Sequence, residues 1–264
     1  MENLINLIRS RAAYRPSIFK EPLCITLHSA KGTTIILLGV FHSSFVAESS
    51  QVDLLQTQWN IFIKLYGNKI VLAEKPKPKA QLENFAETLK RFGESGAVHW
   101  LAQRDNIQSY CPEPDHSGVL KYLMKQFQAE DVVFAYILST VEWRQKLSPP
   151  QTAQQMISSG ITYWNRYTKL LKFTLTEEWF MNRFDREFPN TELEDDNAYR
   201  AAISSLSGKT IFNKIMTEKG RYRDIALLQA IKNDVDAGCH LFVVYGHTHI
   251  WAIESAVQVA IQNK

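Results

Sequence analysis

A chain of 264 residues with 45% hydrophobic side chains can bury one large core, and its 30 basic and 27 acidic groups leave a formal charge of only +3. That balance, with no localised basic patch, gives no basis for a nucleic-acid partner. No uncharged apolar run reaches the roughly 20 residues a spanning helix needs, so no transmembrane segment is expected.

The opening M-E-N-L-I-N-L-I-R-S-R has too short an apolar core for a signal peptide and reads as an amphipathic helix with Leu4, Leu7 and Ile8 on one face. Cys24, Cys111 and Cys239 are odd in number and widely spaced, so they form neither a zinc pair nor a disulfide framework. Cys24 and Cys239 lie in apolar runs, and thiols buried there fit a reducing compartment. A cytoplasmic location is the expectation.

In chain order, residues 23–28 and 33–40 read as two strands joined by the turn Ala30-Lys31-Gly32, a hairpin whose second arm runs G-V-F-H up to His42. A helix over 51–66 ends at Gly67-Asn68. The strand 69–73 ends on Glu74, where a Pro-Lys repeat stops it. Helical periodicity returns over 81–92 and again, past Gly93 and Gly96, to Arg104. A brief strand over 107–111 then leads into C-P-E-P-D-H, which puts Glu113, Asp115 and His116 in another strand-end loop. Alternation of this kind predicts a mostly parallel sheet covered by helices.

From Gly118 to Phe188 the period is helical nearly throughout, with Ser148-Pro149-Pro150 as a break and Thr176 as an N-cap. Its aromatic stripe, Trp143, Tyr163, Trp164, Tyr167, Trp179 and Phe180, predicts helix-helix packing. After an acidic loop over 189–197, short helices are expected over 199–206 and 211–216. A further helix carries Ile225, Leu228, Ile231 and Val235, and Gly238 closes it. Arg221, Arg223 and Asp224 then stand at that helix's start, where the dipole disfavours a cation, so Arg223 should have a carboxylate or anion partner. The last strand, 241–245, delivers G-H-T-H. The expected architecture is a single α/β domain over 1–264, a central mixed, largely parallel sheet flanked by helices, with a helical insertion or cap over about 118–188.

Strand ends are where such proteins collect ligand-handling groups. His42, Glu74, Glu113, His247 and His249 occupy these positions, and Arg223 joins from a helix. His42, Glu74 and His249, with His247 as an addition, suffice to hold one divalent metal ion with an open water position. The same set works without metal: a histidine is the base for water, Glu74 assists, and Arg223 stabilises an oxyanion. Both versions stand. The chain lacks the Gly-x-Ser-x-Gly elbow, the His-Glu-x-x-His helix and the phosphate-binding glycine loop.

Gly-His-Thr-His after an apolar strand resembles the last metal motif of calcineurin-like metallophosphoesterases. Position 40 is not an aspartate, however, and L-A-E-K-P replaces that family's second motif. The order Gly39-x-x-His42, Glu74, Arg223-Asp224 and Gly246-x-x-His249 resembles the superfamily of erythromycin esterases, ChaN-like haem-binding proteins and the TraB/PrgY/Tiki group. That resemblance implies an α/β sheet with a helical insertion. It also matches His42 to the first histidine, Glu74 to the essential glutamate, Arg223 to the helix-start arginine and His249 to the second histidine. The branches implied include metal-dependent peptidases, metal-free macrolactone hydrolases and haem binders. The expectation is a hydrolase that acts on a carbonyl ester or amide of a small molecule or peptide. Phosphoester hydrolysis and a non-catalytic ligand- or haem-binding module are the alternatives.

Overall fold

The computed structural model describes residues 1–15, 21–41, 50–80, 83–142, 144 and 149–262. They form two compact units, Met1–Pro114 with Arg223–Lys264, and Asp115–Tyr222.

The first unit contains a five-stranded sheet in the order β1-β2-β5-β3-β4. The strands are β1 (Leu23–His28), β2 (Thr34–Val40), β3 (Lys69–Ala73), β4 (Gln108–Tyr110) and β5 (His240–Gly246). β1 is antiparallel to β2, as the hairpin reading requires, and all other pairs are parallel. The sheet is therefore mixed and mostly parallel. Every residue of β2 is buried, and in β5 only His240 is not fully so. Strands covered on both faces read as unbroken apolar runs, which is how T-I-I-L-L-G-V and L-F-V-V-Y appear.

Alternate residues serve opposite faces. On one face Ile36, Leu38, Val71, Phe242 and Val244 pack with Leu55, Trp59 and Phe62 of α2 (Ser50–Phe62) and Val98 and Leu101 of α3 (Phe85–Arg104). The two helices expected around Gly93 meet there: α3 is kinked at this residue, whose φ of 65° suits glycine. The other face, with Ile35, Leu37, Leu72, Leu241 and Val243, takes Leu4 from the short α1 (Glu2–Ile5) and Ile8 just after it. Leu7 departs from expectation at 38% exposure, because α1 stops at Ile5 and the helical phase relating Leu4 to Leu7 is lost.

The second unit is helical: α4 (His116–Leu123), α5 (Ala129–Val141), α6 (Ala153–Trp164), α7 (Thr168–Leu171), α8 (Glu177–Glu187) and α9 (Asp196–Ile203). Thr176 accepts a hydrogen bond from Trp179 N and so caps α8, as its sequence signals. The aromatic residues pack helix against helix, with ring centroids 4.8 Å apart for Tyr136–Trp164 and 5.0 Å for Phe134–Phe180.

α10 (Ile211–Asp236) is one helix of 26 residues, where the sequence suggests two separate pieces. Gly220 lies within it at a cost of about 1 kcal/mol relative to alanine. Buried residues on both sides of it, Ile215 and then Leu227 and Leu228, outweigh that cost. Arg223 is thus in a helix interior, and the argument from an N-terminal dipole does not apply to it. α11 (His247–Gln262) starts directly on β5, where the sequence suggests an extended segment or a turn. Its residues Ile250, Ile253, Ala256 and Val257 pack on the sheet with Leu227, Leu228 and Ile231 of α10. Among the described residues no helix is long and apolar enough to cross a membrane.

Gly39 explains how α11 approaches so closely. A Cβ built on it would lie 3.2 Å from His247 Cα, 3.2 Å from Leu23 Cβ and 3.3 Å from Ile250 Cβ. Gly39→Ala should therefore overpack against both α11 and β1, costing roughly 1–3 kcal/mol. The chemical-denaturation midpoint should fall with an unchanged m-value, and an unshifted midpoint would show that α11 has room to spare.

Candidate functional site

The carboxyl ends of β2, β5 and β3 lie level, since Val40 pairs with Gly246 and Ala73 with Val244. Glu74 continues alongside β5, and its N–H donates to Val244 O at 3.2 Å. One of its carboxylate oxygens, Oε2, then accepts from Gly246 N–H at 2.7 Å. The other, Oε1, accepts from Arg223 Nη2 at 2.8 Å. Glu113, in the Cys-Pro-Glu-Pro turn after β4, accepts from Arg223 Nε. Arg223 therefore joins carboxylates from two neighbouring strand ends. Burial lowers its pKa, but Glu113 and then Glu74 outweigh this, so the net shift is upward and the guanidinium is a permanent cation.

His249, 4% exposed, lies in the first turn of α11 with Nδ1 2.6 Å from Asp224 Oδ1. Asp224, 0% exposed, also accepts from Arg11, with Nη2 2.9 Å from Oδ1 and Nε 3.2 Å from Oδ2. Arg11 comes from a single 3-10 turn, Arg11–Ala13, that follows the N-terminal helix. Its Nη2 is also 2.6 Å from His249 Nδ1, and one ring nitrogen cannot donate to Asp224 and accept from Arg11 together. The carboxylate decides the matter. Nδ1–H donates to Asp224, and the Arg11 approach follows from both groups gripping one oxygen. Nε2 then carries the lone pair, 3.2 Å from Arg11 Nη2 and 3.7 Å from Glu74 Oε1.

Burial and then the Arg11 charge push the His249 pKa down, against the pull of Asp224, so the ring is neutral. Burial alone would raise the Asp224 pKa, but Arg11 and His249 together hold the carboxyl below its usual range. Tyr245 meets the His249 ring edge-on at 5.7 Å and is 1% exposed. Its pKa is raised, first by burial and then by Glu113, so the phenol stays protonated. Neither Tyr245 Oη nor Glu113 Oε1 has a hydrogen-bond partner among the described residues. Cys111 donates to Glu74 O at 3.2 Å, and burial pushes its pKa up to about 11, so it is a structural thiol rather than a nucleophile.

The structure thus brings Glu74, Glu113, Arg223 and His249 together and leaves His247 elsewhere. Two positions apart on a helix, the imidazoles point in different directions. His247 stacks on Phe41 at 4.7 Å and bonds Tyr14 Oη through Nδ1 at 2.9 Å. His42 lies outside the described residues. Asp115 caps α4 by accepting from Gly118 N, and His116 packs on Trp164 and bonds Tyr163 Oη, so both serve the second unit.

As to a divalent ion, one ligand atom each from Glu74, Glu113 and His249 lie within 4.8 Å of one another. The donor types suit such an ion. The surroundings do not, because Arg223 bonds both carboxylates and places a positive charge beside the position an ion would take. The residues fit an ion only if Arg223 withdraws.

Asp224 was visible in the sequence as a neighbour of Arg223, but its bonds go to His249 and Arg11. Arg11 had no signal at all, being one arginine after an amphipathic turn. Tyr245 was read only as part of an apolar strand. No protein-family model, curated protein or solved structure matches the chain.

Proposed function

We propose that the chain hydrolyses a carbonyl ester or amide at this site, with His249 as the base for water and without a metal ion. One geometry carries the reading. The His249 ring is neutral, Asp224 holds its Nδ1, and its Nε2 faces Glu74 Oε1 across 3.7 Å, too far for a hydrogen bond and suited to one water donating to both.

The water proton passes to Nε2 while the oxygen attacks the carbonyl carbon. Asp224 stabilises the imidazolium that results, as the third member of a triad does. Tyr245 Oη, protonated and without a partner among the described residues, is the donor available to the oxyanion. When the tetrahedral species collapses, the carbon–oxygen or carbon–nitrogen bond breaks and the proton on Nε2 goes to the leaving group. Arg223 acts differently from the oxyanion role expected of it in the metal-free reading of the sequence. It holds Glu74 and Glu113 in place.

Purified untagged protein should be assayed on carboxyl-ester, peptide and phosphoester panels, with elemental analysis of the same sample. Carbonyl hydrolysis that persists after chelation and shows no stoichiometric metal is the expected result. Phosphatase activity that His249→Ala abolishes, with no carbonyl hydrolysis, would overturn it. Ligand or haem affinity without any turnover would assign a binding module instead.

Arg223→Lys keeps the charge but loses the planar fork. One of its two charged hydrogen bonds should be lost, at a cost of about 1.5–3 kcal/mol in stability or transition-state binding. Thermal melts and kcat/KM of the variant check this, and unchanged values in both would reduce Arg223 to a bystander.

A further inference from the structure

Both histidines of the Gly-His-Thr-His stretch are held by the same few residues near the start of the chain. Arg11 bonds Asp224 behind His249, and Tyr14 bonds His247. Arg9 secures the attachment one turn further along α11, donating to Trp251 O at 3.1 Å, Glu254 Oε2 at 3.0 Å and Ser255 Oγ at 2.9 Å. We propose that Arg11 is a positioning residue of the reaction: it fixes the Asp224 carboxylate that aligns the His249 ring. The proposal rests on the hydrolytic reading above.

Three observations carry it. First, Arg11 reaches both oxygens of Asp224, at 2.9 Å and 3.1 Å from Nη2, so the carboxylate cannot rotate away from Nδ1 without breaking a buried pair. Second, the charges are arranged as two sets. Arg11 neutralises Asp224, while Arg223 serves Glu74 and Glu113. Without Arg11, the Asp224 carboxylate would lose the fork that fixes its orientation, and the His249 ring would lose the alignment that its Nδ1 bond gives it. Third, Arg11 is 8% exposed, deeper than a surface ion pair requires. Among the described residues, the groups that face His249 are Arg11 from the 3-10 turn, Asp224 and Arg223 from α10, Glu74 from the end of β3 and Tyr245 from β5. Of these, only Arg11 contacts both the ring and the carboxylate behind it while carrying a positive charge.

The test uses the full chain with Arg11→Met and Arg11→Lys, and Arg9→Met as a control that touches the same helix away from His249. On the substrate found in the panel, Arg11→Met should lower kcat by at least about a hundredfold, within the range for loss of acid–base function, with KM within about twofold. Arg11→Lys should recover about tenfold of that loss, since the charge returns without the fork. Arg9→Met should keep the wild-type kcat. Nitrogen-15 shifts of the His249 ring in the same samples give a readout that needs no substrate. Nδ1 protonated with Nε2 bare is expected in wild type at pH 7.5, and a mixture of the two tautomers in Arg11→Met. If the chain hydrolyses none of the panel, the ring nitrogens still decide the role of Arg11. A folded Arg11→Met protein with wild-type ring shifts would overturn the proposal, as would a kcat loss matched by Arg9→Met. Should Arg11→Met fail to fold, Arg11→Lys decides: wild-type kcat and wild-type ring shifts together would show that charge alone suffices and that the fork positions nothing.

Discussion

Replacing His249 by alanine is expected to lower kcat/KM by about 10²–10⁴, the usual contribution of a positioned acid–base group. The fold should survive the change. The Arg11–Asp224 pair stays intact without the ring, and the cavity left is that of one polar side chain near the rim of the sheet. Activity assays alongside circular dichroism check both halves of the expectation. A His249→Ala protein with undiminished carbonyl hydrolysis would move the chemistry elsewhere. His247→Phe is the companion, because His247 stacks on Phe41 and is remote in role, so little change in kcat is expected from it.

Asp224→Ala should be the most destabilising single change in the site, at about 3–5 kcal/mol, because it removes the carboxylate that pairs with the buried Arg11 guanidinium through both oxygens. The pH dependence of wild-type stability has the same origin. Asp224 in the folded protein lies below its ordinary pKa, so it adds stability above about pH 4 that is lost as pH falls through the folded value. His249 also has a lowered pKa, so the unfolded chain binds its proton more readily. Stability should therefore begin to fall below about pH 6.5 and fall further as Asp224 protonates. Urea melts between pH 8 and pH 4 measure this slope, and Asp224→Ala should flatten its acidic part. A wild-type slope of the opposite sign would mean that His249 is held charged.

Much of the sheet was legible because two-sided burial leaves a direct trace. β2, β3 and β5 are short apolar runs that end in polar groups, and neighbouring strand ends must converge. Glu74 and His249 could be placed together on that ground alone. What escaped is what periodicity does not encode. The helix start expected near Arg223 does not occur, because Gly220 resembles a break in sequence while burial on either side of it sustains the helix. The divergence of His247 from His249 depends on whether the chain after Gly246 is extended or helical, and two residues cannot report this. Arg11 is paired across 213 positions with Asp224, and no local pattern announces such a contact.

The sheet's strand order also sets a schedule for folding. β5 sits between β2 and β3 yet follows them by well over a hundred residues, so during synthesis both neighbours wait with a bare hydrogen-bonding edge and an apolar face. Until the ribosome delivers His240–Gly246, the only strand contacts open to the first unit among the described residues are the β1–β2 hairpin and the three-residue β3–β4 pairing. Closing the centre of the sheet last makes the contact order high and folding slow, and it leaves T-I-I-L-L-G-V and K-I-V-L-A exposed to other chains in the interval. Nascent chains stalled before residue 240 should therefore be the aggregation-prone and chaperone-dependent species, and chains released past residue 246 should not.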